Sequence, residues 1–172
     1  MRFYHGGNQR DPEIHTWVSL CLGMGIKSYV ELGCGSAYLL QQVGVHIVTV
    51  DLLANGQSNH LVANSQDPET VSRVLAMLGE KPDVVFIDAD HETNGVRRDF
   101  ELWWPVAKVM VGFHDILMPS VMPFWNDVCL GIRSAQIIAR DLASADKWQH
   151  GGNHPDGRVN CGGIGVLFKE EE

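Results

Sequence analysis

Two short stretches carry most of the residues able to do chemistry. IDADH (87–91) and FHD (113–115) each close an apolar run with acids and histidines: Asp88, Asp90 and His91, then His114 and Asp115. Carboxylate oxygens with few or no thiolates suit Mg²⁺, Ca²⁺ or Mn²⁺. Without a metal, His114 or His91 can take a proton near neutral pH. Asp90 also has the place of a cap for a helix beginning near His91, and His114 that of a satisfied buried histidine. A third stretch, SYVELGCGSAY (28–38), sets Glu31, Gly33 and Gly35 where another apolar run ends. Glycines let a ligand approach the backbone, and the helix start beyond them offers free N–H groups to a carboxylate or phosphate. Asp51 closes HIVTVDL (46–52), near the spacing at which an acid after such glycines accepts from ribose hydroxyls. Its two oxygens match two vicinal donors.

These residues leave a dinucleotide and a smaller adenosine compound to be told apart. A dinucleotide fingerprint starting at Gly33 needs a small residue at position 38, where this chain has Tyr38. The leading acid of ExGxG instead suits a ligand with an amino-acid end. Its carboxylate meets the helix N-terminus and its ammonium faces Glu31.

The elements that must position these groups alternate along the chain. Residues 13–24 have helical apolar spacing at Ile14, Trp17, Val18 and Leu22. Ser28–Leu32 reads as a strand and 37–43 as a helix. His46–Leu52 is a β-branched strand, and Asn59–Asn64 is a weaker one. Asp67 and Pro68 open a helix over 67–78, by capping and by a proline in the first turn. PDVVFID (82–88) is an almost continuous apolar strand, as expected when helices cover both faces. A helix over 91–106, a strand over 109–114, a helix over 124–133 and strands over 135–139 and 163–169 complete the pattern. Such alternation implies a parallel sheet with helices on both sides, and ligands then bind beyond the carboxyl ends of the strands. Glu31, Asp51, Asp88 and Asp115 all fall there. HGGNHPDG (150–157), with His150, His154 and Asp156 and with Cys161 beyond, reads as a loop over the active site or surface rather than a zinc site. Trp103, Trp104 and Trp125 read as core or subunit contacts.

Length and composition bound the rest. The 172 residues fit one domain (1–172, with 1–12 as an N-terminal arm and 150–161 as the loop), 45% hydrophobic and 20% charged. A net charge of −8 without a basic cluster speaks against a nucleic-acid partner. The start lacks an apolar signal segment and no run approaches a membrane span. Cys21, Cys34, Cys129 and Cys161 are dispersed, as reduced thiols are. The expected place is the cytoplasm.

Together VELGCGSAYLL, VTVDL, the stretch from DPETVSRVLAM through FIDADHETNGVRRDFELWWP, GFHDIL and GGIGVLFK resemble the class I S-adenosylmethionine-dependent methyltransferases, closest to small O-methyltransferase-like members. The resemblance covers about 28–117 and 162–169. It implies a Rossmann-like α/β fold: a seven-stranded sheet in the order 3-2-1-4-5-7-6, the last strand antiparallel, with helices on both faces. It implies S-adenosylmethionine as cofactor, held by Glu31, Gly33, Gly35 and Ser36 at the methionine end and by Asp51 and Leu52 at the ribose. Ser65, in the segment 64–66, would lie near the adenine, and Asp88 beside the methyl group. Metal-dependent members carry an acid after the fourth strand and a pair after the fifth, the places of Asp88, His114 and Asp115. The implied activity is O-methylation of a small-molecule acceptor, with Asp88, His114 and His91 catalytic and Mg²⁺ (or Mn²⁺ or Ca²⁺) assisting. Acceptor specificity would come from loops or from a second copy in a homo-oligomer. A non-catalytic module with this fold, a nicotinamide-dependent oxidoreductase and a metal-dependent hydrolase are the rival readings.

Overall fold

A computed structural model describes residues 11–33, 38–131, 135–139 and 162–170. The helices are α1 (Asp11–Gly23), α2 (Tyr38–Gln41), α3 (Pro68–Leu78), α4 (Thr93–Trp103) and α5 (Met122–Gly131). The strands are β1 (Ser28–Leu32), β2 (His46–Asp51), β3 (His60–Val62), β4 (Val84–Ile87), β5 (Met110–Phe113), β6 (Ala135–Ala139) and β7 (Ile164–Phe168). Seven strands form one sheet in the order β3-β2-β1-β4-β5-β7-β6. β3, β2, β1, β4 and β5 run parallel, and β7 pairs antiparallel with β5 and β6. This is the Rossmann-like arrangement that the family resemblance implies.

The apolar pattern of the strands explains the layering. β4, VVFI, is buried throughout, and its residues divide between two cores. Val85 and Ile87 join Val30, Leu32, Val111 and Phe113 against α3, α4 and α5. Val84 and Phe86 join Tyr29, Met110 and Trp17 on the α1 face. Trp17 stacks on Phe86 with ring centroids 4.8 Å apart and donates from Nε1 to the Tyr29 hydroxyl at 3.0 Å. Asp67 caps α3 by accepting from the Glu69 N–H at 2.9 Å, with Pro68 in the first turn as the sequence predicts.

At the amino ends of the strands one acid ties the sheet together. Asp83 Oδ2 accepts from the Lys27 and Ser28 N–H groups at 2.6 and 3.1 Å, and its Oδ1 lies 2.8 Å from Lys108 Nζ.

Several elements differ from the sequence expectation. The buried face of α1 runs through Glu13, Ile14, Trp17 and Cys21, while Leu22 is 46% exposed. The helix after the glycine turn is a single turn, and α4 begins at Thr93 rather than His91. Asp90 does not cap α4. Glu92 occupies the cap position, where its side chain makes no capping bond, and Asp90 Oδ1 accepts from the Glu92 N–H just before the helix. Trp103 and Trp125 are buried in the core, and Trp104 is half-buried with Lys169 Nζ 4.0 Å from its ring centroid.

α4 carries a buried carboxyl group whose two oxygens have no hydrogen-bond partner, that of Asp99. Burial pushes this group up from 3.8 to about 6, with the Ser65 hydroxyl opposing and the Asp90 carboxylate adding to the shift. The folded chain therefore holds this proton more tightly than the unfolded chain. The stability it contributes is full below about pH 4 and is lost as the pH rises through about 6. Asp99→Asn is expected to exceed the parent in stability by about 1–3 kcal/mol at pH 8, the gap closing near pH 4. Urea denaturation of both proteins at pH 4, 6 and 8 measures this.

Candidate functional site

The parallel ladder delivers the chemical residues to one crevice. Beyond the last paired residues the backbone bonds continue: Gly33 N–H to Val50 O at 2.8 Å, Asp88 N–H to Leu32 O at 2.8 Å and His114 N–H to Ile87 O at 3.1 Å. Gly33, Asp88 and His114 thus stand side by side across β1, β4 and β5. β1 and β4 flank the point where the strand order reverses, the usual ligand crevice of such sheets.

The turn after β1 needs its glycine. Gly33 has φ +82°, and a Cβ there would run into the carbonyl of Asp88. Glu31 is buried one residue inside the strand end. Asp51 ends β2 half-buried, with Oδ1 accepting from the Leu53 N–H at 2.9 Å, and Leu52 beside it is 71% exposed. Ser65 is buried, and its carbonyl accepts from Trp103 Nε1 at 2.9 Å. Gln66 Nε2 donates to Asp90 Oδ2 at 3.0 Å, linking the turns after β3 and β4. Gly35, Ser36 and the loop 150–161 lie outside the described residues.

Asp88, His91, His114 and Asp115 do converge. His114 Nδ1 lies 3.2 Å from Asp88 Oδ1 and 3.3 Å from Asp115 Oδ1. His91 Nε2 is 3.4 Å from Asp88 Oδ1 and 3.4 Å from Asp115 Oδ2, with its side chain 37% exposed at the mouth. The Ser120 hydroxyl donates to the His91 carbonyl at 2.5 Å, and the Thr93 hydroxyl donates to the Ser120 carbonyl, which pins the His91 turn. Asp115 has φ 55°, and its Oδ1 accepts from the Gly162 N–H at 2.5 Å. Asp88, His114 and Asp115 each offer one ligand-type atom, and these atoms all lie within 4.8 Å of one another.

Glu13 also belongs to this cluster, and the reading of single strand ends missed it. It is 1% exposed. Oε1 accepts from the Gly163 N–H at 2.6 Å, and Oε2 lies 3.5 Å from His114 Nε2. Glu13 Oε2 and His114 Nε2 have no hydrogen-bond partner. The sequence signal was available: Glu13 stands four residues before Trp17, on the same helix face.

The charges follow from this packing. Burial pushes the Asp88 carboxyl up, but His114 and then His91 outweigh it and hold the group well below the usual carboxylate range. Burial pulls His114 down, while Asp88, Asp115 and Glu13 prevail and raise it well above 6.5. His91 is raised by its bond to Asp88, against burial.

A methyltransferase-domain family matches residues 30–116, half of the chain, from within β1 to beyond the end of β5. The chain belongs to that family. Among solved structures, the O-methyltransferase from Bacillus cereus in complex with S-adenosylhomocysteine superposes with a TM-score of 0.54 at 14% identity, covering 95% of this chain and 84% of that one. The MycE methyltransferase of the mycinamycin biosynthetic pathway, in complex with Mg, S-adenosylhomocysteine and mycinamycin VI, gives 0.50 at 14% identity. It covers 84% of this chain and 44% of that one, so this methyltransferase-family chain spans less than half the length of MycE. No curated protein matches the sequence. No helix among the described residues is long and apolar enough to cross a membrane.

Gly33→Ala places a side chain in left-handed backbone and against the Asp88 carbonyl. It is expected to lose on the order of 3 kcal/mol of stability, read as a lower urea midpoint than the parent.

Proposed function

We propose that the chain binds S-adenosylmethionine at the carboxyl ends of β1, β2 and β4 and transfers its methyl group to an oxygen of a small-molecule acceptor. The observation that carries this is the seating of Gly33 on the Asp88 carbonyl, with Glu31 buried behind it and Asp51 at the end of the next strand. The turn supports close approach of a ligand to bare backbone, and Asp51 carries two acceptor oxygens for a ribose. Leu52 offers exposed apolar surface beside it, and Ser65 and Gln66 line the neighbouring turn. MycE in complex with mycinamycin VI supports a small-molecule acceptor, and the likeness to an O-methyltransferase of Bacillus cereus supports transfer to oxygen.

The bound cofactor supplies an electrophilic methyl group on a sulfonium. The chain's own residues then orient and deprotonate the acceptor. His91, exposed at the mouth with its Nε2–H directed at the Asp88 carboxylate, takes the acceptor's proton at Nδ1. Asp88 and Asp115 hold the imidazole in place and stabilise it once charged. Asp88, His114 and Asp115 fit a divalent cation by donor type and convergence. Such an ion would lower the pKa of the acceptor oxygen and align it with the methyl carbon. A non-catalytic role for the same fold predicts adenosyl binding that is weak or absent.

The test is thermal unfolding with S-adenosylmethionine, S-adenosylhomocysteine and NAD in parallel. At 100 times its dissociation constant a ligand stabilises by about 2.7 kcal/mol. A rise of about 5 °C or more with the two adenosyl compounds and none with NAD is expected. Asp51→Ala should weaken S-adenosylhomocysteine binding more than about tenfold; a loss within about twofold removes Asp51 from the ribose site.

A further inference from the structure

The donor set of the strand-end cluster is unusual for an all-oxygen cation site. One of its three convergent groups is an imidazole, His114, and the ring is not free to turn. Asp88 Oδ1 and Asp115 Oδ1 approach Nδ1 at 3.2 and 3.3 Å, while Glu13 Oε2 faces Nε2 at 3.5 Å. Adjacent ligands of an octahedral ion with bonds of about 2.1 Å stand about 3 Å apart. The Nδ1 side therefore has the spacing of a coordination set. On the Nε2 side Glu13 Oε2 faces the other ring nitrogen at 3.5 Å without a hydrogen bond, near the place that a carboxylate takes beside metal-ligating histidines.

Three further observations agree. Glu13 Oε2 and His114 Nε2 are buried, face each other and have no hydrogen-bond partner. Asp115 Oδ1 is oriented by the Gly162 N–H. His91, 37% exposed, marks a path from solvent to the carboxylates.

We infer that Asp88, His114 through Nδ1 and Asp115 form a site for a first-row divalent transition ion in preference to Mg²⁺ or Ca²⁺, and that Glu13 is the residue that positions the His114 ring for it. A nitrogen ligand favours such ions, whereas Mg²⁺ and Ca²⁺ take oxygen. The inference takes from the proposed function only that this crevice is the active site. Glu13 acts through His114 and is a positioning residue.

The experiment is calorimetric titration of the metal-free full chain with Co²⁺, Mn²⁺, Mg²⁺ and Ca²⁺ separately, in the absence of any adenosyl compound. Co²⁺ and Mn²⁺ are expected to bind at least tenfold more tightly than Mg²⁺, with Co²⁺ the tighter of the two. His114→Asn should erase that preference. Glu13→Gln keeps the size of the side chain but removes the negative charge that faces His114 Nε2. It should weaken Co²⁺ binding about 10–100-fold, with a melting temperature that confirms folding. Equal affinity for Co²⁺ and Mg²⁺, no binding of either, or Glu13→Gln within twofold of the parent would overturn the inference. A separate titration of the same protein with S-adenosylhomocysteine reads the cofactor assignment alone. Cofactor binding without metal selectivity sinks only this inference, and metal selectivity without cofactor binding sinks only the methyltransferase reading.

Discussion

Three carboxylates brought together among strand ends lose water and repel one another, and such a group persists in a fold only around positive charge. The charge available here is that of the His114 ring or of a cation held beside it. Glu13 approaches the ring from α1, Asp88 from the end of β4 and Asp115 from the residue beside it. The pairing therefore couples elements that are distant in the chain. It also reaches the strand that closes the sheet, because Asp115 and Glu13 accept from the Gly162 and Gly163 N–H groups that lead into β7. Asp115 adopts left-handed backbone at the centre of this arrangement, a conformation uncommon for a residue with a side chain.

The two ends of the sheet solve the burial of acids differently. At the amino end, Asp83 is met by two backbone N–H groups and the Lys108 ammonium, and these outweigh burial to hold its carboxyl below the usual range. That acid is saturated by protein groups and serves the fold. At the carboxyl end, Glu13 Oε2 and His114 Nε2 face each other without a hydrogen bond. Buried polar atoms left in that state are uncommon and gather where a structure has a task other than stability.

Much of this was legible in the sequence because it is written locally. Alternating β-branched and helical runs reveal a doubly covered parallel sheet. Acids that end apolar runs must lie at one edge of it, since parallel strands all finish on the same side. Asp67 and Pro68 capped α3 as their types required. Asp90 misled, because an acid near a helix start can bond the backbone just before the helix and bond a neighbouring loop as well, and residue type does not separate these outcomes. Leu22 misled because a short helix against a twisted sheet buries a narrow stripe, and Cys21 lies nearer its centre.

The sequence by itself determined the class of fold, the strand-end acids and the glycine turn, because each rests on periodicity or on residue type within a few positions, and the family through the resemblance of its motifs. Only the tertiary structure decided which of those acids share a space. Glu13 and Gly163 lie 150 residues apart, and a bond between them depends on α1 packing over the sheet while β7 inserts beside β5. Whether a buried carboxylate is paired, as Asp83 is, or left facing an imidazole, as Glu13 is, depends on which groups the packing brings within 3–4 Å, and side-chain electrostatics in a dry interior changes steeply over that distance.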